Sequence, residues 1–266
     1  MVFGHGKNNK RKIDNDLSWY GHRGLLRRAP ENTLQGFSAA IDAGLRSVEI
    51  DVLRTKDGKI VCSHNFDLER ETDGSGYIDQ KTLSELELID AATNWPNAEA
   101  KIPTLESVLA QLPKECGVNI EIKTSKPIDW LTPVGVIKII KKLKIQKGVI
   151  ISSFNPIVLR IVKSIDSSFE TGLLFKDIRA VGLISFARPN YVHPRSDITT
   201  NDLIKYAQRY KLGINVWTVN SRPGMEFFME KKVNGIITDI QKQFLAGFNI
   251  NGTAKTGART VQRGCF

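Results

Sequence analysis

The chain has few cysteines, few histidines and no long apolar run. Its 266 residues hold three cysteines, Cys62, Cys116 and Cys265. So odd and scattered a set has no metal-ligand spacing and excludes a disulfide framework. Cys62 and Cys116 lie in or beside strand-like runs and are expected as small core residues. No stretch approaches the roughly 18 apolar residues of a membrane span, and no apolar signal segment opens the chain. The ending Arg-Gly-Cys-Phe is no prenylation box, because Cys265 is not fourth from the end. A soluble protein of a reducing, cytoplasmic compartment is expected. Acidic residues are also short, 28 against 38 Lys and Arg, for a net charge of +10. Part of that excess sits in the termini, at Lys7, Lys10, Arg11 and Lys12 and at Lys255, Arg259 and Arg263. No aromatic-interleaved basic patch accompanies it, so the charge predicts an anion-friendly surface and no nucleic-acid partner.

What is present is a 41% apolar fraction, enough for a real core, in a strict alternation of strand-like and helix-like segments. Residues 1–16 are expected as a disordered basic tail, 17–248 as one barrel domain and 249–266 as a flexible C-terminal tail. Strands are predicted at 18–23, 47–53, 118–123, 149–154, 171–175, 190–193, 214–219 and 235–238. Helices are predicted at 32–43, 105–112, 134–143, 155–165, 202–210 and 225–231. Lys56-Asp57-Gly58 marks a hairpin turn into an extra strand at 60–63. From about 65 to 101 the alternation lapses, as expected of a functional insertion. Eight parallel-type strands over this length predict an α/β fold, a (β/α)₈ TIM barrel with a small insertion after the second strand's hairpin. A doubly wound sheet also alternates. The polar residues here end several different strands, and only a barrel gathers all strand ends at one mouth.

Those polar residues carry the chemistry. Glu49 and Asp51 are two apart on one strand, as are Glu121 and Lys123 on another, so each pair shares a face. Val48, Ile50, Val52, Ile120 and Ile122 take the opposite, packed face. Carboxylates at such positions demand a cation or hydrogen bonds. With His22 and Arg23 at one strand end and His64 at another, the set predicts a divalent-metal site that handles phosphate. Oxygen-only ligands favour Mg²⁺ or Ca²⁺. Arginine can grip phosphate oxygens in a bidentate fashion and lysine adds a point charge. Two histidines can divide acid and base roles. Of the other two, His5 lies in the tail, and His193, like Arg195, is expected in a structural or rim role.

Gly21-His22-Arg23-Gly24, Pro30-Glu31-Asn32-Thr33, Glu49-Ile50-Asp51, Thr55-Lys56-Asp57-Gly58 and Ser63-His64 together resemble the glycerophosphodiester phosphodiesterase family. Ile102-Pro103-Thr104-Leu105, Glu121-Ile122-Lys123, Trp217-Thr218-Val219-Asn220 and Gly235-Ile236-Ile237-Thr238-Asp239 continue the likeness in order, over roughly 18–245. The resemblance implies a (β/α)₈ barrel that hydrolyses glycerophosphodiesters to sn-glycerol 3-phosphate and an alcohol. It implies a divalent metal on Glu49, Asp51 and Glu121, acid–base chemistry on His22 and His64, phosphate contacts from Arg23 and Lys123, and Trp217 on the glycerol side. By that pattern His22 takes a proton from the attacking hydroxyl and His64 protonates the leaving alcohol.

One departure stands out: Asn65 follows the second histidine where the family usually has Asp, which bears on rate and pH optimum. Glu31 either backs the site or meets the dipole of a helix start. The sequence leaves both open. No Ser or Cys sits in a nucleophile motif, so attack by the substrate's own neighbouring hydroxyl, through a cyclic phosphate, is the expected path. Two alternatives remain. A lysophospholipase D needs an apolar groove, for which the insertion offers few large residues. An inactive phospho-ligand-binding barrel would lack a ligand or a histidine, and none is lacking. The oligomeric state is not encoded legibly.

Overall fold

The computed structural model describes residues 17–240. The predicted tails, 1–16 and 249–266, and the last residues of the predicted barrel domain lie outside that range, as do His5 and Cys265. Strands run at β1 Ser18–Gly21, β2 Ser47–Arg54, β3 Ile60–Cys62, β4 Gly117–Ile122, β5 Val149–Ser153, β6 Glu170–Phe175, β7 Tyr191–Pro194, β8 Gly213–Val216 and β9 Gly235–Thr238. The hydrogen-bonded order is β1-β9-β8-β7-β6-β5-β4-β2, closed by a β1–β2 pairing. All of these pairings are parallel, which makes an eight-stranded barrel. β3 pairs antiparallel with the end of β2, Val52 facing Cys62. Val52 also pairs with Ile122 of β4, so β3 occupies the edge of β2 that β1 leaves free. The Asp-Gly turn that joins them is tied by Thr55, whose Oγ1 lies 2.6 Å from Asp57 Oδ1 and accepts the Lys59 amide at 2.9 Å.

Eight helices follow, α1 Leu34–Asp42, α2 Leu83–Leu86, α3 Leu105–Gln111, α4 Leu131–Leu143, α5 Pro156–Ile165, α6 Ile184–Ala187, α7 Asn201–Arg209 and α8 Arg222–Glu230. The caps are local sequence chemistry. Thr33, Thr104, Thr200 and Ser221 each accept an amide of the first turn, and Asn155 does so ahead of Pro156. α4 begins three residues before the expected Val134, because Asp129 Oδ1 accepts the amides of Leu131 and Thr132. Helical turns at 178–187, between β6 and β7, were not expected from the sequence. The insertion holds a 3₁₀ turn, Ile78–Gln80, and α2, which bury Leu68, Ile78 and Leu86 with Leu53, Val61 and Ile102 in a small core of their own.

The strands sort their side chains as the two-residue spacing requires. Val48, Ile50, Val52, Ile120 and Ile122 join the main apolar core together with residues of the surrounding helices. Cys62 and Cys116 are buried there as well. The alternate positions, Glu49, Asp51, Asn119 and Glu121, are equally buried but polar. One strand pair thus separates a greasy outer layer from a polar interior. Ile120→Ala removes a fully buried side chain from the outer layer and should cost about 2–5 kcal/mol. Denaturant titration checks this, and a loss near zero would contradict the packing described.

Candidate active site

The site begins with a tight turn. β1 stops at Gly21, two residues short of its expected end, because the chain turns there: the Gly24 amide donates to Gly21 O at 3.3 Å. Arg23 takes a left-handed φ of 54° and Gly24 one of 94°. A Cβ on Gly24 would lie 2.5 Å from the Gly36 backbone, so only glycine lets this turn seat against α1. The turn presents His22 and Arg23 at the C-terminal mouth of the barrel, where Glu49, Asp51, Glu121 and Lys123 also converge.

One carboxylate oxygen from each of Glu49, Asp51 and Glu121 falls within 4.8 Å of the others, and all three residues are buried. Two cations meet them. Lys123 Nζ donates to Glu121 Oε1 at 2.9 Å and lies 3.4 Å from Asp51 Oδ1. The Arg23 amide donates to Glu49 Oε2 at 3.0 Å, and its Nε pairs with Asp51 Oδ2 at 3.2 Å without hydrogen-bond alignment. Arg23 Nη1 is shared between both oxygens of Glu31, at 2.9 and 3.0 Å. That answers the question the sequence left open, for Glu31 precedes α1 and grips Arg23. Asn32 closes a reciprocal pair, donating to Asp51 Oδ2 and accepting the Asp51 amide, both at 3.1 Å.

Burial raises Glu49 well above the usual carboxylate range, and the charges of Asp51 and Glu121 push the same way. Burial and Asp51 likewise raise Glu121, against the pull of Lys123. Asp51 is the exception. Burial would raise it, but Lys123 and Arg23 together hold it below its ordinary value. One ionised acid among two reluctant ones, all offering oxygen, is a donor set that a hard dication fits, since a dication relieves the mutual repulsion.

The histidines face different partners. His22 Nδ1 lies 2.6 Å from Asp239 Oδ1. Asp239 is itself held by Asn220, which donates to its Oδ2 at 2.5 Å and accepts its amide at 2.9 Å. Burial raises Asp239, yet the hydrogen bond and charge of His22 outweigh it and keep the acid low. An ionised Asp239 accepts, so Nδ1 carries hydrogen and Nε2 is the ring nitrogen turned to other partners. His64 Nδ1 meets instead the neutral Asn65 Oδ1 at 3.1 Å, and Asn65 is braced on Glu71 at 3.2 Å. Burial drives His64 down to about 4, and the neighbouring charges of Lys123 and Arg23 add to that against Asp51.

Trp217 leaves β8 half-buried, its Nε1 donating to His193 O at 2.7 Å and its ring edge-on to Phe154, centroids 5.6 Å apart. His193 is fully buried, pushed by burial to about 3, and shares a hydrogen bond with Asn215. Arg195 pairs with Asp197 in solvent. These are the structural and rim roles expected of them. All ten residues singled out in the sequence therefore lie at the barrel's C-terminal end or lean on those that do. Asp239, Asn220, Asn32 and Phe154 were given no role. For Asp239 the signal was available: β9 must neighbour β1 in a closed barrel, and the pairing Gly21↔Thr238 sets His22 beside Asp239.

The sequence profile of the Glycerophosphoryl diester phosphodiesterase family matches residues 22–241. This chain belongs to that family. It is 34% identical over 227 residues to a glycerophosphodiester phosphodiesterase of Caldanaerobacter subterraneus, covering 82% of this chain and 92% of the relative. Among solved structures it resembles a glycerophosphodiester phosphodiesterase from Thermotoga maritima, with TM-score 0.70 and 29% identity over 86% of this chain and 97% of that one. It shares its fold with an Oleispira antarctica phosphodiesterase solved in complex with the product sn-glycerol-3-phosphate, with TM-score 0.78, 23% identity, and coverage of 86% and 95%.

Two outcomes follow from the electrostatics. In chelator-treated protein at neutral pH Glu49→Gln should raise the melting temperature, since it removes an acid whose ionisation burial and its neighbours oppose. A lowered one would contradict the repulsion. Asn65→Asp should move the titration of His64 above its starting point near 4, because an adjacent carboxylate favours the protonated ring. NMR titration of the imidazole reads this directly, and an unmoved or lowered midpoint contradicts it.

Proposed function

We propose that this protein hydrolyses glycerophosphodiesters to sn-glycerol 3-phosphate and the free alcohol, with a divalent cation held by Glu49, Asp51 and Glu121. The single observation that carries the reading is the approach of those three carboxylates to within 4.8 Å, beside His22, Arg23 and Lys123. Family membership and the 34% identity to a glycerophosphodiester phosphodiesterase support it. Mg²⁺ or Ca²⁺ suits an all-oxygen set. Such an ion supplies Lewis acidity toward a phosphate oxygen and neutralises charge there.

The chain's own groups do the rest. Arg23 and Lys123 face the phosphate and orient it, each kept in place by a carboxylate partner. Asp239 holds His22 through Nδ1, which leaves Nε2 to take the proton of the glycerol hydroxyl next to the ester. That oxygen attacks phosphorus and the P–O bond to the alcohol breaks. The alcohol oxygen takes a proton from His64, whose low value the negative charge of a bound phosphodiester would raise toward neutrality, and water then opens the cyclic phosphate with the two rings in exchanged roles. Intramolecular attack avoids the entropy of capturing a free nucleophile. Trp217 flanks the glycerol half. Against an inactive barrel, every acid and histidine of the set is in place.

The test is release of sn-glycerol 3-phosphate from glycerophosphocholine. EDTA should abolish it and Mg²⁺ or Ca²⁺ restore it, while full turnover without metal would remove the cation from the account. His22→Ala and His64→Ala should each lower kcat by roughly 10²–10⁴-fold with folding retained. A wild-type rate in either variant would take that histidine out of the mechanism. An analogue methylated at the neighbouring hydroxyl should bind without turning over, and its hydrolysis at a comparable rate would mean that water attacks directly.

A further inference from the structure

Four large apolar side chains that stand in solvent line one groove of about 340 Å³ beside the site: Phe66 at 37% exposed, Ile128 at 62%, Trp130 at 53% and Leu131 at 58%. Leu53 and Ile78 also line it, and both are buried. Lys123 is common to the groove and the active site. Phe66 is two residues beyond His64 on the same segment. Exposed apolar clusters of this kind mark binding surfaces, and the volume lies in the range of small-molecule sites. The wall that faces the insertion comes from the β4–α4 connection. Of the groove's large apolar residues the insertion supplies Phe66 and Ile78, and the rest come from Leu53 and from 128–131.

The groove has a definite side. Around the closed barrel β8 lies four strands from β4 in either direction, so Trp217, the residue after β8, enters the mouth from the wall opposite the one that carries Lys123 and reaches in to Phe154. A phosphodiester whose glycerol lies against Trp217 directs its other ester arm toward Lys123, His64 and this groove. We infer that the groove holds a hydrocarbon chain on that arm, so that the substrates are glycerophosphodiesters whose leaving alcohol bears an alkyl or acyl chain. The inference rests on the function proposed above and names its substrate class. The net reaction is unchanged. One water is consumed, the P–O bond to the chain-bearing alcohol breaks, and that alcohol oxygen leaves with a proton.

Charge selects the occupant. Arg54, Lys123 and Lys126 border the groove against Asp79 and Asp129. Asp129 is already engaged, its Oδ1 accepting the Leu131 and Thr132 amides and its Oδ2 the Thr132 hydroxyl. With Lys123 held by Glu121 and Asp129 by the amides, a cationic head group would meet Arg54 and Lys126 against Asp79, whereas an uncharged chain meets six large apolar side chains.

The experiment compares sn-glycero-3-phosphoalkyl esters from methyl to octyl, each below its micelle concentration, on the wild type, Phe66→Ala and the double variant Ile128→Ala/Trp130→Ala. In the wild type kcat/KM should climb with chain length, by up to about fourfold per methylene, and then level off. In the variants the climb should flatten while the methyl ester, which does not reach the groove, turns over at the wild-type rate. A flat wild-type series, or variants that keep the full climb, overturns the inference. So does a result in which the variants lose binding to phosphatidylglycerol vesicles with no chain-length dependence in the wild type, for then the patch docks a bilayer. If the wild type hydrolyses none of the esters, the proposed function fails on its own, and calorimetric binding decides the groove: tighter octyl than methyl ester, lost in the double variant, supports the inference, and equal affinities overturn it.

Discussion

Three carboxylates that repel one another are held at one end of a closed barrel, and much of the surrounding structure exists to tolerate them. Glu49, Asp51 and Glu121 come within 4.8 Å at positions from which water is largely excluded. Lys123 and Arg23 offset part of the repulsion, enough to keep Asp51 ionised but not to settle Glu49 or Glu121. The residual frustration is what gives such a site its appetite for a dication, and the helix-facing side of the same strands is packed with Val and Ile.

Closure of the barrel turns distant sequence into a working pair. His22 and Asp239 are 217 residues apart and meet at 2.6 Å only because β9 pairs with β1. Asn220, after β8, then fixes Asp239, so one histidine is oriented by three consecutive strand ends. His64 comes from the hairpin attached to β2 and leans on an amide rather than a carboxylate. The two rings thus enter the site with different electrostatics, a distinction that supports separate roles for them in the proposed reaction.

Much of this was legible in the residues. The two-residue spacing of Glu49 with Asp51 and of Glu121 with Lys123 fixes a shared face whatever the fold, and the strand–helix rhythm over some 220 residues leaves few architectures in which several strand ends meet. The parts that escaped depend on tertiary contact. The turns at 178–187 and in the insertion are short, with too few residues for a period to declare itself. The start of α4 at Leu131 depends on Asp129 as a cap. The groove of Phe66, Ile128, Trp130 and Leu131 joins two segments some sixty residues apart, neither of which looks apolar enough alone. That Glu31 backs the site could be anticipated as one of two options, and the contact with Arg23 chooses between them.

The proposed chemistry depends on the carboxylate trio as a metal site. Calorimetric titration of metal-stripped protein with Mg²⁺ and Ca²⁺ at neutral pH tests that most directly, because it reads binding without any substrate. One divalent ion per chain is predicted for the wild type, with binding lost in Glu49→Gln although that variant remains folded. No binding by the wild type, or undiminished binding by the variant, would contradict it.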